Sequence, residues 1–286
     1  MNNIYSKTII LVLIASLTAV VSNAQLRTPV NILLNFYGKV VDQSGKPVAG
    51  AKVNLEAQAN YFDENRSEQK PYSVETDQNG DFNLIGAYGA IITVSSIEKD
   101  GFELSKKTGR HYSYTVPADF HPDPEKPVVF RMWKYAGKQS LVGSAWHGKI
   151  GCDGTPIDFD LYRGSRSAEG NLQISCTRTP LNFELTSERP FAYKCEISIR
   201  DGGIQPTGDE FTYQASDNGY SPDVTIERKR DDPKWGGGLK QEFYIKTAKG
   251  EYGWLSVEWD AGHRPGPTPL KWECFINPSG SRNLER

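Results

Sequence analysis

Along most of the chain apolar and polar residues alternate with a period of two. The 3.6-residue spacing of an amphipathic helix is hard to find. "VNILLNFYGKVVD" is rich in β-formers. "AKVNLEA" puts Val53 and Leu55 on one face and Lys52, Asn54 and Glu56 on the other, the pattern of a half-buried strand. Between them "QSGKP" is a turn, with Gly45 free to take φ > 0 and Pro47 fixing the exit, so the stretch from Tyr37 to Ala57 predicts a hairpin. "SVETDQNGDFNLIG" carries Asn79-Gly80, a strong short hairpin signal. "AIITVSSIEKDGFEL" adds a strand and a glycine turn. "TGRHYSYTVPADFHPDPEKP" is rich in Pro and Asp and reads as a loop or linker, after which "VVFRMW" alternates again. In the second half "IDFDLYRG", "NLQISCTR", "FAYKCEISIR", "EFTYQA", "EFYIKTA", "YGWLSVEWD" and "LKWECFI" read as strands. They are separated by turn clusters such as "CDGTP", "RDGG" and "KWGGG". The tail "NPSGSRNLER" is polar and loop-like. The expected fold class is all-β, with one sandwich followed by a second sandwich or jelly roll.

Length and composition fit this picture. The 286 residues suffice for roughly two domains, and 37% hydrophobic residues is too many for wholesale disorder. The first 24 residues differ from the rest. Lys7 precedes the apolar run "TIILVLIASLTAVV", and Ser22 and Ala24 put small residues where signal peptidase requires them. The run falls short of the ~20 residues that span a bilayer. The expected organisation is therefore a signal peptide over 1–24 cleaved after Ala24, a first β domain over 25–137 and a second over 138–286. The expected location is secreted or periplasmic, with no membrane span after cleavage. No Cys follows the apolar run, so no lipid anchor is expected. A net charge of −2 argues against a nucleic-acid partner, which needs a basic face.

Cys152, Cys176, Cys195 and Cys274 all lie in the second half. An even count in an exported chain suggests disulfides. Alternation places Cys176 with Leu172 and Ile174, Cys195 with Ile197 and Ile199, and Cys274 with Leu270, Trp272 and Ile276, each on an inward face. Proximity in sequence favours Cys152–Cys176, leaving Cys195–Cys274. Buried free thiols are the alternative.

No catalytic, cofactor or metal site is assigned. None of His111, His121, His147 and His263 begins an H-x-x-E motif, and no HExxH is present. "HPDPE" places Glu125 at the wrong spacing. No nucleophile elbow of the G-x-S-x-G kind occurs. Asp158 with Asp160, and Glu258 with Asp260, could supply paired carboxylates for glycoside hydrolysis, but they also read as the polar faces of alternating strands. Asp77 to Asp81, "DQNGD", resembles half a calcium loop, yet Tyr88 stands where the bidentate Glu should be. In "IERKRDDPKWGGGLK" Trp235 sits at the tip of a long loop. Trp254 and Trp259 fall on opposite faces of one strand, with Trp254 the one expected to be exposed. Trp235 and Trp254 are therefore the candidate ligand-stacking residues, since exposed Trp can stack on sugar rings.

Ten positions in the first segment are similar to the carboxypeptidase regulatory-like family: Gly38, Val40, Val41, Asp42, Gly45, Pro47, Val48, Gly50, Ala51 and Val53. "TDQNGDFNL" (Thr76 to Leu84) and "KDGFE" (Lys99 to Glu103) resemble the family's later steps. The resemblance implies a transthyretin-like or immunoglobulin-like β-sandwich. "KPVVFRMWK" and "INPSGSRNLE" resemble exported bacterial proteins that join this module to a second β domain. In metallocarboxypeptidases the module is an accessory to a separate zinc enzyme and brings no catalytic residues. No activity comes with the resemblance; the expected function, from the chain as a whole, is a non-catalytic binding or scaffold role at the cell envelope or outside the cell, with a glycan or a cell-envelope protein as partner and no cofactor. The alternative is a secreted, glycosidase-like hydrolase with its site in the second domain.

Overall fold

The computed structural model of the protein describes residues 32–61, 66–115, 120–179, 191–233, 235–262 and 266–286. The expected signal peptide, its cleavage site and His263 lie outside them. All regular structure among the described residues is β. The chain divides into two compact units. The described residues up to Leu104, with Thr108–Met132, form the first; Ser105–Lys107 and Trp133–Arg286 form the second.

The first unit holds β1 (Ile32–Asp42), β2 (Lys52–Tyr61), β3 (Arg66–Glu75), β4 (Asp81–Gly89), β5 (Ile91–Glu98), β6 (Phe102–Leu104), β7 (His111–Ser113) and β8 (Val128–Lys134), the last of which crosses the division. They make two four-stranded sheets, ordered β4-β1-β8-β6 and β3-β2-β5-β7. Alternation in β1 buries Leu34, Phe36 and Val40, which meet Val53, Leu55, Ile92 and Val94 from the other sheet. Burying side chains of this size stabilises the unit by about 1.5–3 kcal/mol each.

Neither predicted hairpin forms. β1 pairs with β4 (antiparallel) and β8 (parallel), whereas β2 pairs with β3 and β5. The "QSGKP" and "DQNG" turns therefore carry the chain from one sheet to the other. Both turns are closed by an aspartate. Asp42 Oδ1 accepts hydrogen bonds from Ser44 N (2.8 Å), Ser44 Oγ (2.7 Å) and Lys46 N (2.9 Å). Asp77 Oδ1 accepts from Asn79 N (2.8 Å) and Asp81 N (2.9 Å). Gly80 is required twice over: its φ is +74°, and a Cβ there would lie 2.3 Å from Val40 O.

The Pro- and Asp-rich segment read as a loop contributes β7 and part of the core. Tyr112 lies 4.8 Å from Phe36 and 4.9 Å from Phe120 between ring centroids. Burial pushes its phenol up to about 12. Tyr114 donates to Asn35 O at 2.7 Å.

The second unit holds β9 (Val142–Ile150), β10 (Ile157–Asp160), β11 (Ser165–Arg166), β12 (Leu172–Arg178), β13 (Tyr193–Ile199), β14 (Gly203–Thr207), β15 (Asp223–Arg228), β16 (Gly238–Lys246), β17 (Tyr252–Asp260) and β18 (Thr268–Asn277). Its two five-stranded sheets are ordered β11-β10-β12-β13-β15 and β14-β16-β17-β18-β9. One core built from both sheets contains Phe159, Leu172, Ile174, Phe243, Trp259 and Trp272. "EFTYQA" forms no strand, although Gln214 bridges Asn283. The tail read as a polar loop is instead packed: Leu284 is fully buried and Glu285 nearly so.

Candidate functional site

In the first unit a groove of about 780 Å³ is lined by side chains that include Tyr37, Lys39, Glu75, Asp77, Asp81, Asn83 and Glu125. The β1–β4 register builds its floor. Tyr37 faces Asn83 and Lys39 faces Asp81, so all four side chains stand on the sheet face opposite the core. Gly38, between Tyr37 and Lys39, points the other way. Its register partner Phe82 lays its ring across the missing side chain, where a Cβ would meet ring carbons at 2.2 Å. The glycine thus lets the sheet be packed flat below while β1 presents Tyr37 and Lys39 above.

Charge in the groove is partly paired. Lys39 Nζ donates to Asp81 Oδ1 at 3.0 Å, with both side chains partly exposed. Asp77 is committed to its own turn. Glu75, Glu125 and Asn83 add acceptors and one amide, and Tyr37 adds a half-exposed aromatic ring. An aromatic face surrounded by carboxylates, an amide and an ammonium can engage a polyhydroxylated ligand by stacking and hydrogen bonding. Among the described residues no group of three or more His, Cys, Asp and Glu side chains converges as a metal ion would require.

The chain matches no family model, no curated protein and no solved structure.

The two tryptophans selected from the sequence do not form a binding surface. Trp254 is only 6% exposed. Alternation does set it on the face opposite Trp259, but the end of the chain covers that face. Its ring stacks on Phe275 (6.0 Å, 28°), the Arg286 guanidinium lies 5.0 Å from it, and Leu284 shares its cluster. Trp235 is docked, not presented: its Nε1 donates to Phe191 O at 2.8 Å and its ring meets Phe191 edge-on at 5.4 Å.

The carboxylate pairs are occupied locally. Asp158 accepts from Gln173 Nε2 at 2.9 Å and lies 3.5 Å from Arg200. Asp160 caps the turn through Tyr162 N (2.8 Å) and Arg163 N (3.1 Å). Glu258 pairs with Lys271 at 2.9 Å, and Asp260 accepts from Gly262 N at 2.8 Å. Glu258, Lys271, Glu273 and His147 border a smaller groove of about 280 Å³ on the second unit. His111 meets Thr93 Oγ1 at 3.0 Å, and His121 and His147 are exposed.

The cysteines are arranged differently from the expected pairing. Cys152 Sγ lies 3.1 Å from Thr268 Oγ1, and Cys274 is buried with Leu255 and Ser144 as register partners. Cys176 and Cys195 face each other across β12 and β13. The sulfurs in direct contact are those of Cys176 and Cys195, 3.1 Å apart, while Cys152 lies beside the Cys176 strand, with Gly154 N donating to Cys176 O at 3.0 Å, but its sulfur meets Thr268.

The groove is not legible in the sequence because three separated segments build it: β1, the stretch from the end of β3 into β4, and the chain just before β8. The available signal was the outward half of β1, where Tyr37 and Lys39 alternate with Phe36 and Val40.

Proposed function

We propose that the protein is an exported, non-catalytic binding or scaffold protein of the cell envelope or extracellular space, that its first unit is a carboxypeptidase regulatory-like module, and that this unit's outer groove contacts a carbohydrate. The observation that carries the reading is the groove of about 780 Å³, with Tyr37, Lys39 and Asn83 held side by side on the β1–β4 sheet. A ligand with many hydroxyls matches its mixture of one aromatic ring, carboxylates and an amide. The export half rests on the apolar run before Ala24. The family half rests on the residues of the "YGKVVDQSGKPVAGAKV" segment, with a two-sheet sandwich as compatible architecture.

The test is a polysaccharide array combined with a hydrolysis screen on glycan and peptide substrates, using the chain without its first 24 residues. Binding without turnover, lost in Tyr37→Ala, supports the proposal. Released sugar or peptide overturns the non-catalytic reading and directs attention to the second unit's groove around Glu258 and His147. Binding that survives Tyr37→Ala and Asn83→Ala removes the groove from the account.

A further inference from the structure

The strongest unassigned chemistry lies in the core of the second unit. Cys176 on β12 and Cys195 on β13 are directly opposed in an antiparallel pair. Both side chains point into the core, both are almost fully buried, and their sulfurs lie 3.1 Å apart. Opposed residues of an antiparallel pair have Cα atoms roughly 4.5–5.5 Å apart. A disulfide tolerates roughly 4.4–6.8 Å, so the strand spacing matches what a bond here requires. Of the two other thiols, Cys152 lies beside the Cys176 strand but its sulfur is engaged with Thr268, and Cys274 lies on the other sheet.

We propose that Cys176 and Cys195 are a cross-strand disulfide site, closed when the chain folds in the presence of a low-molecular-weight disulfide, with Cys152 and Cys274 remaining thiols. The thiolate of one cysteine attacks a sulfur of the oxidant RS–SR, forming a mixed disulfide and expelling RS⁻. The second cysteine's thiolate then attacks the protein sulfur of that mixed disulfide and expels the other RS⁻. The cysteines lose two electrons and two protons; the oxidant gains both and leaves as two RSH. Timing follows from burial. In the finished core the pair is out of reach of an oxidant, and the neighbouring thiol and burial push the Cys176 thiol far above its ordinary value, which disfavours the attacking thiolate. The bond therefore forms while β12 and β13 are paired but not yet covered by β17 and β18.

The experiment refolds the reduced, denatured full chain in oxidised and reduced glutathione. Free thiols are then alkylated in denaturant, and the unreduced protein is cut with trypsin for mass spectrometry. Cleavage after Arg178 and Lys194 puts the two cysteines in separate peptides. The expected result is one cross-linked species joining the Cys176 and Cys195 peptides, with two alkylated thiols at Cys152 and Cys274. The same link should persist in Cys152→Ser. Four alkylated thiols in chain that has regained its native tryptophan fluorescence would overturn the proposal. So would a cross-link that includes Cys152 or Cys274.

Discussion

The Glu285 carboxylate accepts a hydrogen bond from the Trp133 indole at 2.8 Å. The same carboxylate accepts from Ala136 N (2.9 Å) and Gly137 N (2.6 Å), and Glu285 is only 1% exposed. One side chain near the end of the sequence thus satisfies three donors at the start of the second unit. Removing it frees three part-buried donors, two of them on the exposed Ala136 and Gly137, so water offsets part of a loss of about 1–3 kcal/mol each. Glu285→Ala should destabilise the second unit by about 3 kcal/mol, and Glu285→Gln by less. Urea unfolding followed by tryptophan fluorescence reads this unit alone, because all six tryptophans fall in it. An unchanged midpoint for Glu285→Ala would show that the tail does not hold the unit together.

A second prediction concerns Gly38. Its absent Cβ is filled by the Phe82 ring, so Gly38→Ala overpacks the first unit's core. The expected cost is about 1–3 kcal/mol, read by calorimetry. Phe82→Ala removes a buried ring at about 3–5 kcal/mol. The double variant should cost clearly less than the sum, because the second change removes the clash that the first creates. Strict additivity would mean that the two residues do not share this space.

Asp42 gives the first unit an acid-dependent component. Burial pushes its carboxyl up, but hydrogen bonds from the Ser44 side chain and from the backbone of Lys46 and Ser44 outweigh it, and the group titrates below its ordinary value. A depressed folded-state pKa contributes stability that is present above the unfolded value of 3.8 and lost as pH falls through the folded value. Asp42→Ala should therefore destabilise the first unit at pH 6 by about 1–3 kcal/mol for charge-assisted bonds, read as a lower melting temperature, and the gap should narrow as pH falls from 3.8 through the lower folded value. A gap that persists there would assign the loss to packing and not to the charge.

How much of this was legible in the sequence varies by level. The core faces were: alternation correctly buries Val53, Leu55, Ile174, Cys195, Ile197 and Cys274. Strand partnership was not. Period-two patterning specifies which side of a strand is wet, but in a sandwich either sheet offers the same dry side. Hence "QSGKP" and "DQNG" looked like hairpin turns and in fact join opposite sheets. Composition misled in the segment around Tyr112, Tyr114 and Phe120, where Pro and Asp drew attention away from three aromatics that pack on Phe36 and on one another. Trp254 failed for a third reason. Its face was read correctly, but its cover comes from Leu284 and Arg286, distant in sequence and carrying no periodic signal.

That distinction separates stability from binding. Trp254→Ala removes a ring packed on Phe275 under Arg286 and should cost about 3–5 kcal/mol in the second unit. It should leave glycan binding by the folded fraction unchanged. Tyr37→Ala, on an outer face, should do the reverse: lose binding at least tenfold, about 1.4 kcal/mol, with an unfolding midpoint shifted by little. Isothermal titration on both variants checks the pair. Loss of binding in Trp254→Ala at full folding would return the site to the second unit.

The proposed Cys176–Cys195 bond has its own energetic signature. The two residues are 19 apart in sequence. Closing a loop of that size restricts the unfolded chain by an amount that stabilises the fold by about 3 kcal/mol. Chain refolded with glutathione should therefore have a higher urea midpoint, by tryptophan fluorescence, than chain refolded under reductant. The Cys176→Ala/Cys195→Ala variant should show no such difference between the two conditions. Cavities left by the lost sulfurs shift both of the variant's curves alike, so the comparison isolates the bond. If the variant keeps the full oxidant-dependent gain, the stabilising link must involve Cys152 and Cys274 instead.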